Sequence, residues 1–293
     1  MDIVGLLITG IIVGTIYGLI AMGFSLVYKA SGVFNMAQGE IVLISAFVLW
    51  TTLTTLHLPA IVAAILTIVA VSIFGIVVER TMIRPLIGQD HMASVMMTLS
   101  LVLIIKGAVA GIWATERVGF PEIFPKAAVK VSTLSFSQSM LWSFVIAMLI
   151  LLGFTVFFNR TKAGLEMRAV AMSHAMALSL GIDVKRLMTL AWVFGAGLGA
   201  VGGILLASIV GVSMGIADMG LKALSVVLLA GMQSLQGCIV AGMIVGLGEI
   251  LAVRYLDPYT GGGMGDLFPF VLMLALLLMR PYGLFGEKII DRV

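Results

Sequence analysis

The sequence predicts an all-α, polytopic membrane protein with about eight or nine transmembrane segments, some of them short or re-entrant. Three observations predict it. Hydrophobic residues make up 61% of the 293 positions and charged residues only 11%, against about 25% charged in soluble domains. The apolar runs, such as Ile61 to Val78, are continuous, whereas barrel strands alternate apolar and polar over about ten residues. The loops between runs are too short to fold by themselves, so residues 1–293 read as one membrane domain with no appended module. The wealth of Leu, Ile, Val and Met also excludes a disordered chain.

About 20 mostly apolar residues carry a helix across a bilayer. Candidate spans in order are 3–27, 41–57, 60–79, 92–113, 140–158, 187–210 and 264–280. The first lacks a basic flank and a small-residue cleavage site, so it reads as a retained span and not a signal peptide. Between 220 and 253 two shorter pieces, 223–232 and 238–253, flank Gln233-Ser234-Leu235-Gln236-Gly237; both are marginal for spanning, so either both cross fully or one is re-entrant. The only cysteine, Cys238, has no partner for a disulfide or a thiolate metal site and reads as a small packing residue.

Lysine and arginine in short loops mark the cytoplasmic side. Arg80 and Arg84 lie in one such loop; Arg160, Lys162, Arg168, Lys185 and Arg186 lie in another; Arg280, Lys288 and Arg292 lie in the tail. With nine crossings these assign an outside N-terminus and a cytoplasmic C-terminus. The loop at 114–139 should then be outside, although Arg117, Lys126 and Lys130 argue against it, and Glu116 and Glu122 carry no weight in a rule that counts basic residues. Small residues recur four apart at Gly10, Gly14 and Gly18, at Gly195, Gly199 and Gly203, at Gly107 and Gly111, and at Gly242 and Gly246. Such spacing permits close helix approach in lipid, either within the chain or between subunits.

Several chemistries are disfavoured. Gly197-Leu-Gly199-Ala-Val-Gly202 matches a dinucleotide fingerprint, but it lies inside an apolar helix with no strand before it. No phosphate-binding loop occurs, so any ATP, with its magnesium, must be bound by a different chain. His57, His91 and His174 are scattered and show no ligand spacing. No catalytic constellation is present, and a net charge of +3 without a basic run gives no footing for nucleic acid. No metal or cofactor on this chain is expected.

Two regions carry positive signals. Lys29 to Glu40 interrupts the apolar pattern with Asn35, Gln38, Gly39 and Glu40. Polar groups at that depth either satisfy broken backbone or line a permeation path. Gly211 to Lys222, followed by Gln233 to Gly237, is a counterpart in the second half, and paired interrupted helices point to a transport route. Lys106 and Glu249 stand deep in apolar runs, where a lipid-facing charge costs about 2.5–3.5 kcal/mol. Each must face the bundle interior, a cavity or a partner, or snorkel outward. The second region, 161–186, predicts a cytoplasmic helix from Gly164 to Leu180 stopped by Gly181. Its alanines, Ala169, Ala171, Ala175 and Ala177, would let it dock closely in a groove of another protein.

Together these segments resemble one family. Asn35-Met-Ala-Gln38-Gly39-Glu40 resembles the N-x-A-x-G-E motif of the permease subunits of branched-chain amino-acid ABC importers, whose relatives also move urea and amides. Gly164 to Arg186, with Arg168-Ala169 and Gly181-Ile182, resembles that family's coupling segment, about 159–186 here, and the stretch from Gly220 through Lys222 to Gly231 is similar to its glycine-rich late region. The chain departs from the pattern at Ser173-His174-Ala175 and at Ala230-Gly-Met-Gln233. The resemblance implies a non-catalytic permease working by alternating access. It would be paired with a second homologous permease (or a second copy), two ATPase subunits and an extracytoplasmic solute-binding protein. The competing expectation is a stand-alone, ion-coupled transporter or channel that uses Glu40, Lys106 and Glu249; an integral-membrane enzyme is a third and weaker reading.

Overall fold

The computed structural model describes residues 3–86, 88–113, 119–121, 123–124, 128–131 and 134–286. Glu116, Arg117, Glu122, Lys126, Lys288 and Arg292, used above to assign orientation, lie outside the described residues, as does the side chain of Lys130. Among the described residues the regular structure is helical apart from one short antiparallel hairpin. In order it forms α1 (Ile3–Ser31), α2 (Gln38–Thr54), α3 (Ala60–Val78), a π-helical turn at Glu79–Ile83 and α4 (His91–Trp113). The hairpin, β1 (Ala128–Val131) and β2 (Leu134–Ser137), leads into α5 (Gln138–Arg160), α6 (Lys162–Met172), α7 (His174–Ser179) and α8 (Val184–Val210). The chain continues through α9 (Ile216–Ala230), α10 (Leu235–Tyr255), a single turn α11 (Asp257–Thr260) and α12 (Met264–Met279).

Among the described residues six helices are long and apolar enough to cross a membrane, fewer than the eight or nine expected. They are α1, α3 with its π-helical extension, α4, α5, α8 and α10. The difference lies in length: α2 and α12 are apolar but have 17 and 16 residues, and α9 has 15. The 238–253 piece, marginal in the sequence, is part of a full 21-residue helix, because Ser234 accepts a hydrogen bond from the Gly237 amide and so starts α10 three residues earlier.

Burial sorts the helices. α1, α2, α8 and α9 form the centre, where Tyr17, Phe47 and Trp192 are fully enclosed. α3, α4, α5 and α12 present outward faces such as Ile61, Leu103, Leu149 and Leu278. Glycine sets how closely the centre packs. α1 and α10 run antiparallel, with Gly10 against the Gly246 carbonyl, Gly14 against Gly242, and Gly18 against the Cys238 carbonyl. A Cβ on Gly18 would stand 2.8 Å from that oxygen. Gly195 meets Gly23 of α1, while Gly203 meets Ser45 and Val42 of α2. These rows therefore pack within the chain, and buried Cys238 is one of their small residues. Gly107 and Gly111 have no such neighbour and leave one face of α4 open. The GxGxxG match sits in the middle of α8, where Gly202 receives Ile20.

Candidate functional site

Two helices begin inside the bundle. After α1, the chain turns at Gly32 (φ 68°) and climbs back among the helices. Asn35 Oδ1 accepts from the Ala37 amide at 3.2 Å, and Asn35 Nδ2 donates to Gln38 Oε1 at 3.2 Å. This local turn satisfies backbone that would otherwise lie bare in an apolar setting. Gln38 Nε2 donates to the Gly195 carbonyl at 3.1 Å, about 16 Å along α8 from its first residue at ~1.5 Å per residue. α8 ends at Gly211 (φ 81°), and α9 then starts against the first turn of α2. A Cβ on Gly39 would lie 2.7 Å from the Ala217 carbonyl, and one on Gly220 2.8 Å from the Gly39 Cα. The two N-terminal ends thus cross at paired glycines.

Charges gather on both sides of this crossing, in two groups that each centre on one lysine. Lys106 of α4 stands 3.8 Å from Glu40 Oε1 and 3.9 Å from Asp218 Oδ1. Glu40 is buried, Lys106 is 41% exposed and Asp218 74% exposed. Lys222, one turn beyond Asp218, points the other way. Its ammonium donates to Glu249 Oε1 at 2.6 Å and pairs with Asp266 Oδ1 at 2.8 Å, and its side chain is only 5% exposed. Tyr17 of α1 donates to the same Glu249 oxygen at 3.4 Å. Glu249 Oε2 is buried without a hydrogen-bond partner among the described residues. Glu40, Lys106 and Glu249 therefore do not form one continuous relay. Gln233 lies apart from both groups, at the far end of α9, where its carbonyl accepts from Lys29 Nζ at 3.1 Å.

The 161–186 segment departs from the single helix expected. Ser173 is extended (φ −163°), ends α6 and caps α7 by accepting from the Met176 amide at 3.2 Å. Serine offers the backbone this alternative to a continuing helix. Gly181 (φ 76°) supplies the expected stop, and Asp183 caps α8 by accepting from the Arg186 amide. Gly164 abuts the Phe158 carbonyl so closely that no side chain fits. Arg168 donates to that same carbonyl at 2.6 Å and to Asn159 Oδ1 at 3.3 Å, with its guanidinium 5.6 Å from the Phe158 ring centre. Arg168 thus braces the α5–α6 corner. Ala169 and Ile182 are half-buried and Ala177 is buried. The exposed surface is carried by Leu165, Met172, Met176, Leu178 and Leu180, not by Ala169, Ala171 or Ala177.

The ends of the bundle are tied in ways sequence reasoning missed. Glu79, fully buried in the π-helical turn, takes two bonds from Arg84, both at 2.9 Å, and Thr189 of α8 joins both residues. This places the Arg84 segment beside the start of α8 and the 161–186 segment. The tail reaches the same end, since the Leu284 and Phe285 amides donate to the Leu229 and Ala230 carbonyls. A cavity of about 230 Å³ there is lined by Lys29, Phe158, Arg168, Gln233 and Phe285, among others. At the opposite end Trp50 Nε1 donates to the Gly119 carbonyl. Among the described residues no three His, Cys, Asp or Glu side chains group as metal ligands.

A multi-helix membrane bundle with interrupted helices and internal charges has the build of a transport permease. The family comparison makes this specific: residues 6–277 match the model described as branched-chain amino acid transport system / permease component, and the chain belongs to that family. It is 29% identical to the high-affinity branched-chain amino acid transport system permease protein BraD of Pseudomonas aeruginosa, over 98% of this chain and 97% of that protein. It is also 29% identical to LivH of Escherichia coli K12, described in the same words, over 97% and 96%. The probable branched-chain amino acid transport permease protein LivH of Methanocaldococcus jannaschii is 28% identical over 94% and 90%. In fold, the chain resembles PsaBC from Streptococcus pneumoniae in complex with Fab, with a TM-score of 0.51 at 16% identity, over 95% of this chain and 91% of that one.

Proposed function

We propose that this chain is one half of the membrane pathway of an ATP-driven importer, and that it translocates branched-chain amino acids or a related small polar solute by alternating access. The observation that carries this reading is the crossing of the α2 and α9 N-termini at Gly39 and Gly220, with an exposed charged face beside it. Asp218 and Lys106 on a lipid-facing surface would each cost about 2.5–3.5 kcal/mol. That face is instead covered by a second homologous permease, with the solute route along the seam. The open glycines of α4, Gly107 and Gly111, suit close approach of a partner helix. Asn35, Gln38, Gly39, Glu40 and Lys222 hold or line the route on this side, and Gln233 sits at its inner end.

Energy enters from separate ATPase subunits, and solute arrives on an extracytoplasmic binding protein. The whole chain acts as one permease domain, and the exposed leucines and methionines of α6 and α7 form the surface an ATPase grips. Gly164, Arg168 and Gly181 position that surface, with Ala169 and Ile182 packed behind it. Counting α2, α9 and α12 with the six long helices gives nine crossings, an outside N-terminus and a cytoplasmic C-terminus. The basic segments around Arg84, Arg168 and Arg280 then share the inner side of a bacterial-type inner membrane.

Purification tests this directly: the chain brings ATPase subunits with it, and uptake requires ATP. Uphill uptake by the purified chain alone, in ion-loaded liposomes without ATP, would overturn it in favour of an ion-coupled transporter. Replacing Gly181 by a bulky or acidic residue lowers uptake and ATPase association together. Loss of uptake with full association would remove the docking role.

A further inference from the structure

We infer that Glu40, Lys106 and Asp218 form a recognition point for the charged end of an α-amino acid, the ammonium going to Asp218 and the carboxylate to Lys106. This rests on the permease reading and adds to it a contact between solute and named side chains. The ion contacts at 3.8 and 3.9 Å exceed hydrogen-bond length. Lys106 is thus shared between two acids without being bonded to either, and both it and Asp218 reach the open face. A zwitterion inserted between them replaces one loose ion contact by two charge-assisted hydrogen bonds. It brings no net charge into a medium of low dielectric, where uncompensated charge is costly. Leu103, one turn before Lys106 on α4, and Leu221, one turn after Asp218 on α9, are both exposed and offer apolar surface to a hydrocarbon side chain. The first turns of α2 and α9 already hold Glu40 and Asp218, which leaves Lys106 as the group for an incoming carboxylate.

The charge count sets an order of preference. With two acids and one lysine the cluster carries a surplus negative charge, so a lone ammonium is tolerated better than a lone carboxylate. Leucine should bind best, leucinamide about tenfold more weakly, and 4-methylpentanoate about a hundredfold more weakly or worse, from the loss of one charged hydrogen bond and then from added repulsion.

The test uses the assembled permease pair with its ATPases in nanodiscs, without the binding protein, so that selection by that protein does not enter. Each compound displaces tritiated leucine at mildly acidic pH, where both amines are protonated. Wild-type protein should give the stated order. Asp218→Asn should remove most of leucine's advantage over 4-methylpentanoate, and Lys106→Gln most of its advantage over leucinamide. Equal binding of the three compounds to wild type, no saturable leucine binding, or an equal loss for all compounds in each variant would overturn the site; the last outcome marks a structural role. Uptake by the complete wild-type importer separates the two readings. Leucine uptake with a flat ranking ends only the recognition point, whereas no uptake of any branched-chain amino acid ends the amino-acid reading itself.

Discussion

Two lysines, Lys222 on α9 and Lys106 on α4, illustrate two uses of charge within a helical bundle. Lys222 is enclosed, with carboxylates at 2.6 and 2.8 Å on α10 and α12, and it ties α9 to both. Lys106 is half open, with carboxylates at 3.8 and 3.9 Å on α2 and α9. Each group has one cation and two acids, yet the first is closed at hydrogen-bond length and the second is not. Short, enclosed contacts fix helices in place and lose much when one partner goes. Long, half-open contacts hold little energy and exchange partners readily. The acids on α9 and α12 also differ from their mates: Asp218 and Asp266 are the exposed members of their groups, at 74% and 86%. The two groups therefore open onto the same kind of surface from opposite sides of α9.

The contrast is broken most forcefully at Lys222. Lys222→Met leaves Glu249 buried without its cation and should destabilise the protein by about 3–5 kcal/mol, read as a lower melting temperature in detergent. The double variant with Glu249→Gln should recover a large part of that loss. A single variant as stable as wild type would show that the enclosed group ties nothing together.

Next in size is the crossing between the groups. Gly39→Leu sets a side chain where a Cβ alone stands 2.7 Å from the Ala217 carbonyl, and overpacking of this kind costs about 1–3 kcal/mol. It should also separate Glu40 from Asp218 and lower uptake more than Lys106→Gln does. Normal uptake would mean that the α2–α9 contact is not needed for transport.

An effect on stability of the same size, about 1–3 kcal/mol for a lost charged hydrogen bond, is expected at Arg168→Ala, which frees the Phe158 carbonyl. The local signature is faster proteolysis across 161–183 together with weaker ATPase association. The smallest effect on stability is expected at Asp218→Asn, within about 0.5 kcal/mol as for an exposed site outside any tight network. Its melting temperature should match wild type. A large drop would place the half-open group with the enclosed one.

Much of this was legible in the sequence. Continuous apolar runs located the helix centres, and Gly181 marked the stop of the 161–186 segment, since both signals are local. Lys106 and Glu249 stood out because a charge in an apolar run needs a partner. Their partners were harder to see. Asp218 and Asp266 sit in first turns, where an acid is ordinary, so neither looked exceptional; the available signal was Asp218 and Lys222 spaced four apart on an apolar helix. The Glu79–Arg84–Thr189 tie depends on residues 110 apart in sequence meeting, which no local pattern encodes. The break at Ser173 was missed because a serine in a helical pattern has two outcomes, and its hydrogen bond to the Met176 amide decides between them. Arg168 was identified as important, but its inward direction depends on the Phe158 carbonyl, set by how α5 ends.

The glycine contacts of α1 with α10 carry a mechanical consequence. Gly10, Gly14 and Gly18 let two backbones touch over three successive turns, so these helices slide or separate only by breaking backbone contact at all three. They behave as a stiff plank. On the importer reading, any rocking motion pivots around that plank, and a covalent staple across it should leave uptake intact.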